Sequence, residues 1–252
     1  MITSLQNPKL KWTRTLLARK SQRYQDRAFV CEGIRLAEEA LHYQPAPLLA
    51  LYSSSISERG KYLLEQCTCE VLEVEAALLD KISATETSQG LLLVMPFVEK
   101  ALPPDPDFLL LLDELKDPGN FGTILRAALA FGVQGILFTT GTVDPYSPKV
   151  VRSGMGAHFR LPLQAVDTAN LPTLTHSLAL FLADVANGLP CWEADLRKPL
   201  CLIIGNEAHG VSSALRQLPH QNLLIPMPGN MESLNAAMSA SILLYETVRQ
   251  RK

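Results

Sequence analysis

Two runs of five consecutive apolar residues, Phe108–Leu112 and Leu200–Ile204, restrict what this chain can fold into. A strand with one wet face alternates apolar and polar side chains, whereas an uninterrupted run must be covered on both faces, as in a parallel sheet between helical layers. Around the first run, a strand from Phe108 to Asp113, a helix to about Phe131 and a strand from Gly135 to Thr139 read as a βαβ unit. Further strands are predicted at Phe159–Leu163, Leu180–Asp184, Leu200–Ile204 and Asn222–Pro226, so an α/β fold with a mainly parallel sheet is expected. A last helix follows, because Leu234, Ala237, Met238, Ser241, Ile242, Tyr245 and Val248 recur at spacings of three and four up to about Gln250. That stripe needs a partner surface.

The first hundred residues have a different texture. Helices are predicted at Pro8–Arg19, Ile34–His42, Glu58–Gln66 and a short stretch to Ile82, with strands at Ala28–Cys31, Leu48–Tyr52, Glu70–Val74 and Gly90–Val94. A small α/β unit is implied. Residues 96–107 hold Pro96, Pro103, Pro104 and Pro106, which remove backbone donors and favour extended neighbours. The chain therefore divides into 1–95, a Pro-rich linker at 96–107, and 108–252. With 252 residues, 47% apolar and 19% charged, it has enough apolar material for two folded units and too little charge for disorder.

The net charge of −2 hides an asymmetry: residues 1–35 carry eight basic side chains against two acidic ones. Lys9, Lys11, Arg14, Arg19, Lys20, Arg23, Arg27 and Arg35 suit a phosphate-binding arm, and equally a solvated helix face. No apolar run approaches the roughly 20 residues needed to cross a bilayer, and the N-terminus lacks the apolar core of a signal peptide, so a cytoplasmic location is expected. Five cysteines, mostly in apolar runs, suit reduced buried thiols, and the Cys67/Cys69 pair has no second pair at finger-like spacing. No structural metal is expected. Neither a G-x-G-x-x-G turn, a G-x-x-x-x-G-K-[ST] loop nor a G-x-S-x-G elbow occurs, which disfavours dinucleotide, nucleoside triphosphate and serine hydrolase chemistry.

Ligands of parallel sheets gather beyond the carboxyl ends of the strands, and three loops leave such ends with small and polar residues. In Asp117–Arg126, Asn120 is placed to cap a helix that carries Arg126 about two turns inside it. Arg126 is either an exposed helix arginine or a cation beside that loop. Gly205-Asn-Glu-Ala-His-Gly210 follows an apolar strand, and glycine at both ends permits close backbone approach. Glu207 suits a solvated turn there, and His209 a loop position. In Ile225–Asn235, Ser233 is placed to cap the final helix, while Ser233 and Asn235 flanking Leu234 also suit a purine held against apolar side chains.

Taken in order, Asn120-Phe-Gly-Thr-Ile-Leu-Arg126, Gly205-Asn-Glu-Ala-His-Gly210 and Ile225-Pro-Met-Pro-Gly-Asn-Met-Glu-Ser-Leu-Asn235 resemble the three motifs of SpoU/TrmH RNA ribose 2′-O-methyltransferases. Asp144–Ala157 is similar to that family's linking segment, though Gly154 stands where a small hydroxyl residue is frequent. Residues 1–95 resemble its substrate-binding domain.

The resemblance implies a SPOUT catalytic domain with a deep trefoil knot, an exception to the usual unknotted chain. It also implies S-adenosylmethionine as cofactor and a homodimer paired through the final helix. Cofactor contacts are expected from Thr139, Thr140, Gly141, Gly205, Asn206, Glu207, Ile225, Pro226, Met227, Ser233, Leu234 and Asn235, with Gly205, Ile225 and Leu234 acting through their backbones. Asn120, Arg126, Glu207, Ser233 and Asn235 form the expected catalytic set. Arg126 either deprotonates the 2′-hydroxyl or orients it; its pKa of about 12.5 or more favours orientation. RNA contacts are expected from Lys9, Lys11, Arg14, Arg19, Lys20, Arg23, Arg35 and Arg152, with ribosomal RNA preferred. A transfer RNA ribose methyltransferase, a base methyltransferase and a non-catalytic RNA-binding factor on the same fold are the alternatives.

Overall fold

Local chemistry starts the first helix: Asn7 caps it by accepting from the Lys9 amide at 2.9 Å, and Pro8 fills a position whose amide has no helical partner. The computed structural model describes residues 1–43, 46–85, 88–184, 187–229 and 231–252. In chain order, α1 (Pro8–Ala18), α2 (Lys20–Asp26), β1 (Ala28–Glu32), α3 (Ile34–Tyr43), β2 (Leu49–Tyr52), α4 (Glu58–Glu65), β3 (Glu70–Glu73), α5 (Ala76–Ile82) and β4 (Leu91–Pro96) come first. Then follow β5 (Phe108–Leu112), α6 (Pro118–Ala130), β6 (Gly135–Thr139), α7 (Pro148–Gly154), β7 (Leu163–Val166), α8 (Leu171–Leu174) and β8 (Ala179–Asp184). The chain closes with β9 (Leu189–Pro190), β10 (Leu200–Ile204), α9 (Ser213–Arg216), β11 (Gln221–Leu224) and α10 (Ala236–Gln250). No described helix is long and apolar enough to cross a membrane.

Contacts divide the chain into two compact units, residues 1–98 with 144–160, and residues 99–143 with 161–252. The segment 144–160, which the sequence groups with the C-terminal domain, thus packs with the first unit. Residues 99–107 count with the second, where Leu102 packs so closely on Gly135 that a Cβ there would lie 2.2 Å from the leucine.

The first unit has a four-stranded sheet in the order β1-β4-β2-β3, antiparallel except for the β2–β3 pair. The predicted helix through Arg19 breaks there, because Arg19 is extended at φ −121°, and α2 restarts the chain in a new direction. Arg23 on α2 requires a correction to the expected RNA-binding set. It is only 4% exposed, and its Nε and Nη2 donate to Asp144 Oδ2 at 2.8 and 2.6 Å. It fastens the 144–160 segment and is not available at the surface. Lys9, Lys11, Arg14, Arg19, Lys20 and Arg35 are exposed, and Arg152 is half-buried.

Aromatic packing completes the attachment. Tyr146 stacks on Phe97 at 3.8 Å and 13°, and Phe159 stacks on Phe29 at 5.8 Å. The strand predicted at Phe159–Leu163 is therefore displaced: Ala157–Phe159 is a 3-10 turn, and Phe159 owes its apolar character to this ring cluster. His158 is buried with them. Burial pushes its imidazole down to about 4, so it is neutral, and its Nε2–H donates to the Pro145 carbonyl at 2.7 Å. Gly154 is buried at the end of α7.

The second unit carries a seven-stranded sheet in the order β7-β6-β5-β10-β8-β11-β9, every pair parallel. All five residues of β5, β6 and β10 are buried. The two apolar runs lie side by side, with Leu110 opposite Leu202. Because β5, β10, β8 and β11 are consecutive neighbours, the loops leaving their carboxyl ends are neighbours too. Helix α10 packs on α6 and β10, burying Ala236, Ala237, Ala240, Leu243, Leu244 and Thr247. Met238, Ile242 and Tyr245, from the predicted stripe, are instead 56%, 37% and 58% exposed.

Removing one partner of a buried ion pair strands the other charge, at a cost of about 3–5 kcal/mol. Asp144→Ala is expected to destabilise the protein on that scale in urea denaturation, while Arg23→Met combined with Asp144→Leu recovers most of the loss. An Asp144→Ala protein as stable as the parent would show that the pair does not hold this segment.

Candidate functional site

Three loops of the second unit are joined through one carboxylate and two side-chain amides. Glu207, in the loop after β10, accepts from the amides of Lys116 and Asp117 at 3.2 Å each and from Asn120 Nδ2 at 3.0 Å. Asn120 Oδ1 in turn accepts from Asn235 Nδ2 at 2.8 Å. Asn235 Oδ1 accepts from the Ala237 and Met238 amides at 2.9 and 3.3 Å. A carboxylate only accepts, and the Asn235 oxygen is committed to the helix, so both amides have one self-consistent orientation. The chain Glu207–Asn120–Asn235 joins residues drawn from each of the three motifs.

This arrangement corrects two expected caps. Asp117, not Asn120, caps α6 by accepting from the Asn120 amide at 2.7 Å, because Pro118 already begins the helix. Asn235, not Ser233, caps α10, which starts one residue later. Both displaced residues are left to face the loops.

Partial burial pushes the Glu207 carboxyl up, but the Asn120 amide and the backbone N–H groups of Glu207, Lys116 and Asp117 outweigh it, and the group sits below its ordinary value. It is an ionised acceptor with its donors in place, and a poor proton acceptor. Beside it, Asn206 Nδ2 donates to the Glu114 carbonyl at 2.9 Å while its Oδ1 accepts from Ala208 and His209 amides. Asn206 and Gly210 exchange two backbone bonds of 2.9 Å, closing the loop on itself. Gly205 is required at this turn: a Cβ would lie 2.2 Å from the Gly210 backbone carbon.

Beside the turn lies a cavity of about 380 Å³ at the ends of β8, β10 and β11. Of the expected cofactor residues, Gly205, Asn206, Glu207, Ile225, Met227, Ser233 and Leu234 line it. Pro226 and Asn235 do not, and Asn230 of the third segment lies outside the described residues. Thr139 and Thr140 line a separate polar hollow with Asp113, Asp167 and Ser212, where buried Asp113 accepts from Thr139 at 2.8 Å and the Ser212 amide at 2.7 Å. Gly141 lies off both; its carbonyl accepts from Lys116 Nζ at 2.8 Å. Pattern reading missed Asp184 and Arg216, which also line the cavity.

Arg126 is exposed on α6 and stands outside the cavity lining. It lies one turn beyond Thr123, which with Asn120, Asn235, Ala237, Met238, Ser241 and Ile242 lines a shallow hollow of about 340 Å³. Among the described residues it makes no hydrogen bond or ion pair, so its guanidinium is available to an anion.

A cavity of this size, with Ile204, Leu223, Ile225, Met227 and Leu234 on its apolar wall and polar loop groups at its edge, fits a nucleoside at the carboxyl end of a parallel sheet. Such a fold and site suit a nucleoside-binding α/β protein, and sequence comparison specifies the family. A family model described as the SpoU rRNA Methylase family matches residues 107–245, and one described as the MRM3-like substrate binding domain matches residues 7–93. The chain belongs to the SpoU rRNA methylase family.

An uncharacterized tRNA/rRNA methyltransferase of Synechocystis is 34% identical over 99% of this chain and 94% of its own length. The 23S rRNA (guanosine(2553)-2′-O)-methyltransferase RlmP of Bacillus subtilis is 33% identical over 97% of each. The crystal structure of the SpoU methyltransferase AviRb from Streptomyces viridochromogenes in complex with AdoMet superposes with a TM-score of 0.89, at 30% identity and 98% coverage of both chains.

Glu207→Gln keeps one acceptor oxygen and puts an N–H₂ in place of the other, so the amides of Lys116 and Asp117, which meet different oxygens, cannot both keep an acceptor. Hydrogen exchange at one of the Lys116 and Asp117 amides is expected to accelerate at least about tenfold, the effect of losing roughly 1.4 kcal/mol of local protection. Unchanged exchange at both amides would mean that Glu207 does not hold the loops together.

Proposed function

We propose that this chain transfers the methyl group of S-adenosylmethionine to a ribose 2′-hydroxyl of RNA, with ribosomal RNA the preferred substrate. The observation that carries the reading is the Glu207–Asn120–Asn235 chain, which brings all three motifs to the edge of a nucleoside-sized cavity. Bound S-adenosylmethionine supplies a methyl on a sulfonium. The residues of the chain do the rest by position. Gly205, Ile225 and Leu234 hold the nucleoside largely through backbone groups, while Asn120 and Asn235 keep the shallow hollow open beside the cavity.

Arg126 is the orienting cation for the target nucleotide. A guanidinium with a pKa of about 12.5 or more is a poor base, and Glu207 has its donors in place, so the hydroxyl proton passes to solvent as the methyl arrives. Correct positioning supplies much of the acceleration, on the order of 7–11 kcal/mol in well-oriented systems. Ser233 lines the cavity and is assigned to the cofactor side of this arrangement.

Two further features belong to the proposal. The knotted path implied by the family resemblance is supported by α10 returning from β11 across β8 to pack on α6 and β10. A homodimer is supported by the exposed Met238, Ile242 and Tyr245, the first two of which border the shallow hollow, and it gives the stripe a partner surface. Sedimentation of the protein as a monomer at micromolar concentration would remove the dimer.

Arg126→Ala is expected to abolish methyl transfer to total RNA while leaving S-adenosylmethionine affinity within about threefold; near-normal turnover would overturn the role. Mapping the labelled nucleotide in the same experiment separates ribosomal from transfer RNA and ribose from base. In the first unit, replacing Lys9, Lys11, Arg14 and Arg19 with Ala is expected to weaken RNA binding and reduce the magnitude of its log–log salt slope, by up to about 0.9 for each phosphate that the variant no longer neutralises. An unchanged slope would return those residues to a solvated helix face.

A further inference from the structure

The cavity wall is unevenly charged. Asp184, Glu207 and Glu232 contribute carboxylates, and Arg216 is the one arginine or lysine among its described lining residues. S-adenosylmethionine has a sulfonium and an ammonium, which suit the carboxylates, and a single carboxylate of its own, which needs a cation.

Arg216 is held so that part of its guanidinium is left over. Its Nε donates to the Val211 carbonyl at 3.1 Å and its Nη1 to Asp184 Oδ2 at 2.8 Å. Nη2 has no partner among the described residues. A pair built for mutual stability uses a fork against both carboxylate oxygens; here a single oxygen takes a single Nη1 bond, and both Nη2 hydrogens stay open. The Asp184 side chain is 10% exposed, against 37% for Arg216, so the aspartate is the covered support and the arginine the reaching group. Gly210, at φ +68°, is the neighbour of Nη2: a Cβ on it would sit 3.7 Å away, in ordinary contact.

We propose that Arg216 binds the carboxylate of S-adenosylmethionine through its free Nη2 donors, and that Asp184 is the positioning residue that aims it. The assignment rests on the cofactor reading and adds to it the residue that recognises the amino-acid end. It distinguishes that end from the nucleoside end, which Gly205, Ile225 and Leu234 hold.

The test is equilibrium binding by calorimetry, with S-adenosylmethionine and its decarboxylated analogue, which keeps the sulfonium and the ammonium. Wild-type protein is expected to prefer S-adenosylmethionine by roughly 10- to 100-fold, the range for a hydrogen-bonded charged group. Arg216→Met is expected to lose that preference, with affinity for the decarboxylated analogue unchanged within about twofold. Arg216→Lys, which keeps the charge without the fork, is expected to retain part of it.

Equal wild-type affinity for the two compounds overturns the proposal without any variant. An equal loss for both in Arg216→Met also overturns it, since Arg216 would then only support the cavity wall. A wild-type protein that binds neither compound removes the cofactor assignment as well, which separates the failure of that reading from the failure of this one.

Discussion

The Glu207 carboxylate collects donors from a loop 87 to 91 residues earlier in the chain, and the rest of the site is arranged by that fact. An ionised carboxylate accepts several N–H groups at once and donates none, so it draws amides together without competing for acceptors. Its hold on Asn120 fixes which way that side chain faces, and Asn120 then fixes Asn235, 115 residues further on. Hydrogen bonds of this kind are modest individually, about 0.5–1.5 kcal/mol net and somewhat more to a charge. They suffice because the sheet has already placed the loops side by side. With β5, β10, β8 and β11 adjacent and parallel, closing the loops on one another orders few additional residues.

That dependence explains what could be read from the residues. The buried strands Gly135–Thr139 and Leu200–Ile204 appear within their expected limits, since a continuous apolar run has few other places to go. Phe159 misled because apolar character records burial and not the partner: it packs among rings and not in a sheet. Arg23 misled in the opposite sense. A charge run is scored by composition, yet one guanidinium of the run is turned inward onto Asp144, 121 residues away, and no local pattern marks it. The caps slipped by short distances because Asp117 and Asn120, like Ser233 and Asn235, are all good capping residues, and only the backbone path selects between them.

The cavity was legible to the extent that it is built from turns. Gly205 announces a close backbone approach, and Ile225 and Leu234 flank a proline-rich loop end. Asp184 and Arg216 were not legible, because one ends a strand, the other ends a four-residue helix, and neither belongs to a motif. Thr139 and Thr140 lie at the end of β6, two strands away from β10, with β5 between. Their side chains turn to Asp113 and its polar hollow, so strand order explains why these threonines are separated from the cavity.

Cofactor and substrate also make opposite electrostatic demands. A sulfonium nucleoside is cationic at its reacting end and favours a wall with carboxylates; RNA is a polyanion and favours exposed lysine and arginine. On the proposed reading the chain divides these demands between its units, with Asp184, Glu207 and Glu232 lining the cavity of one and Lys9, Lys11, Arg14, Arg19, Lys20 and Arg35 exposed on the other. A net charge of −2 is the sum of two biased surfaces. At the junction of the two chemistries a cation is needed that does not repel the sulfonium from its own pocket. In the proposed role Arg126 meets that condition by standing on α6 outside the cavity lining, one turn beyond Thr123 of the hollow that Asn120 and Asn235 border. Arg216 meets it differently, since Asp184 offsets its charge and leaves only a directional edge of donors.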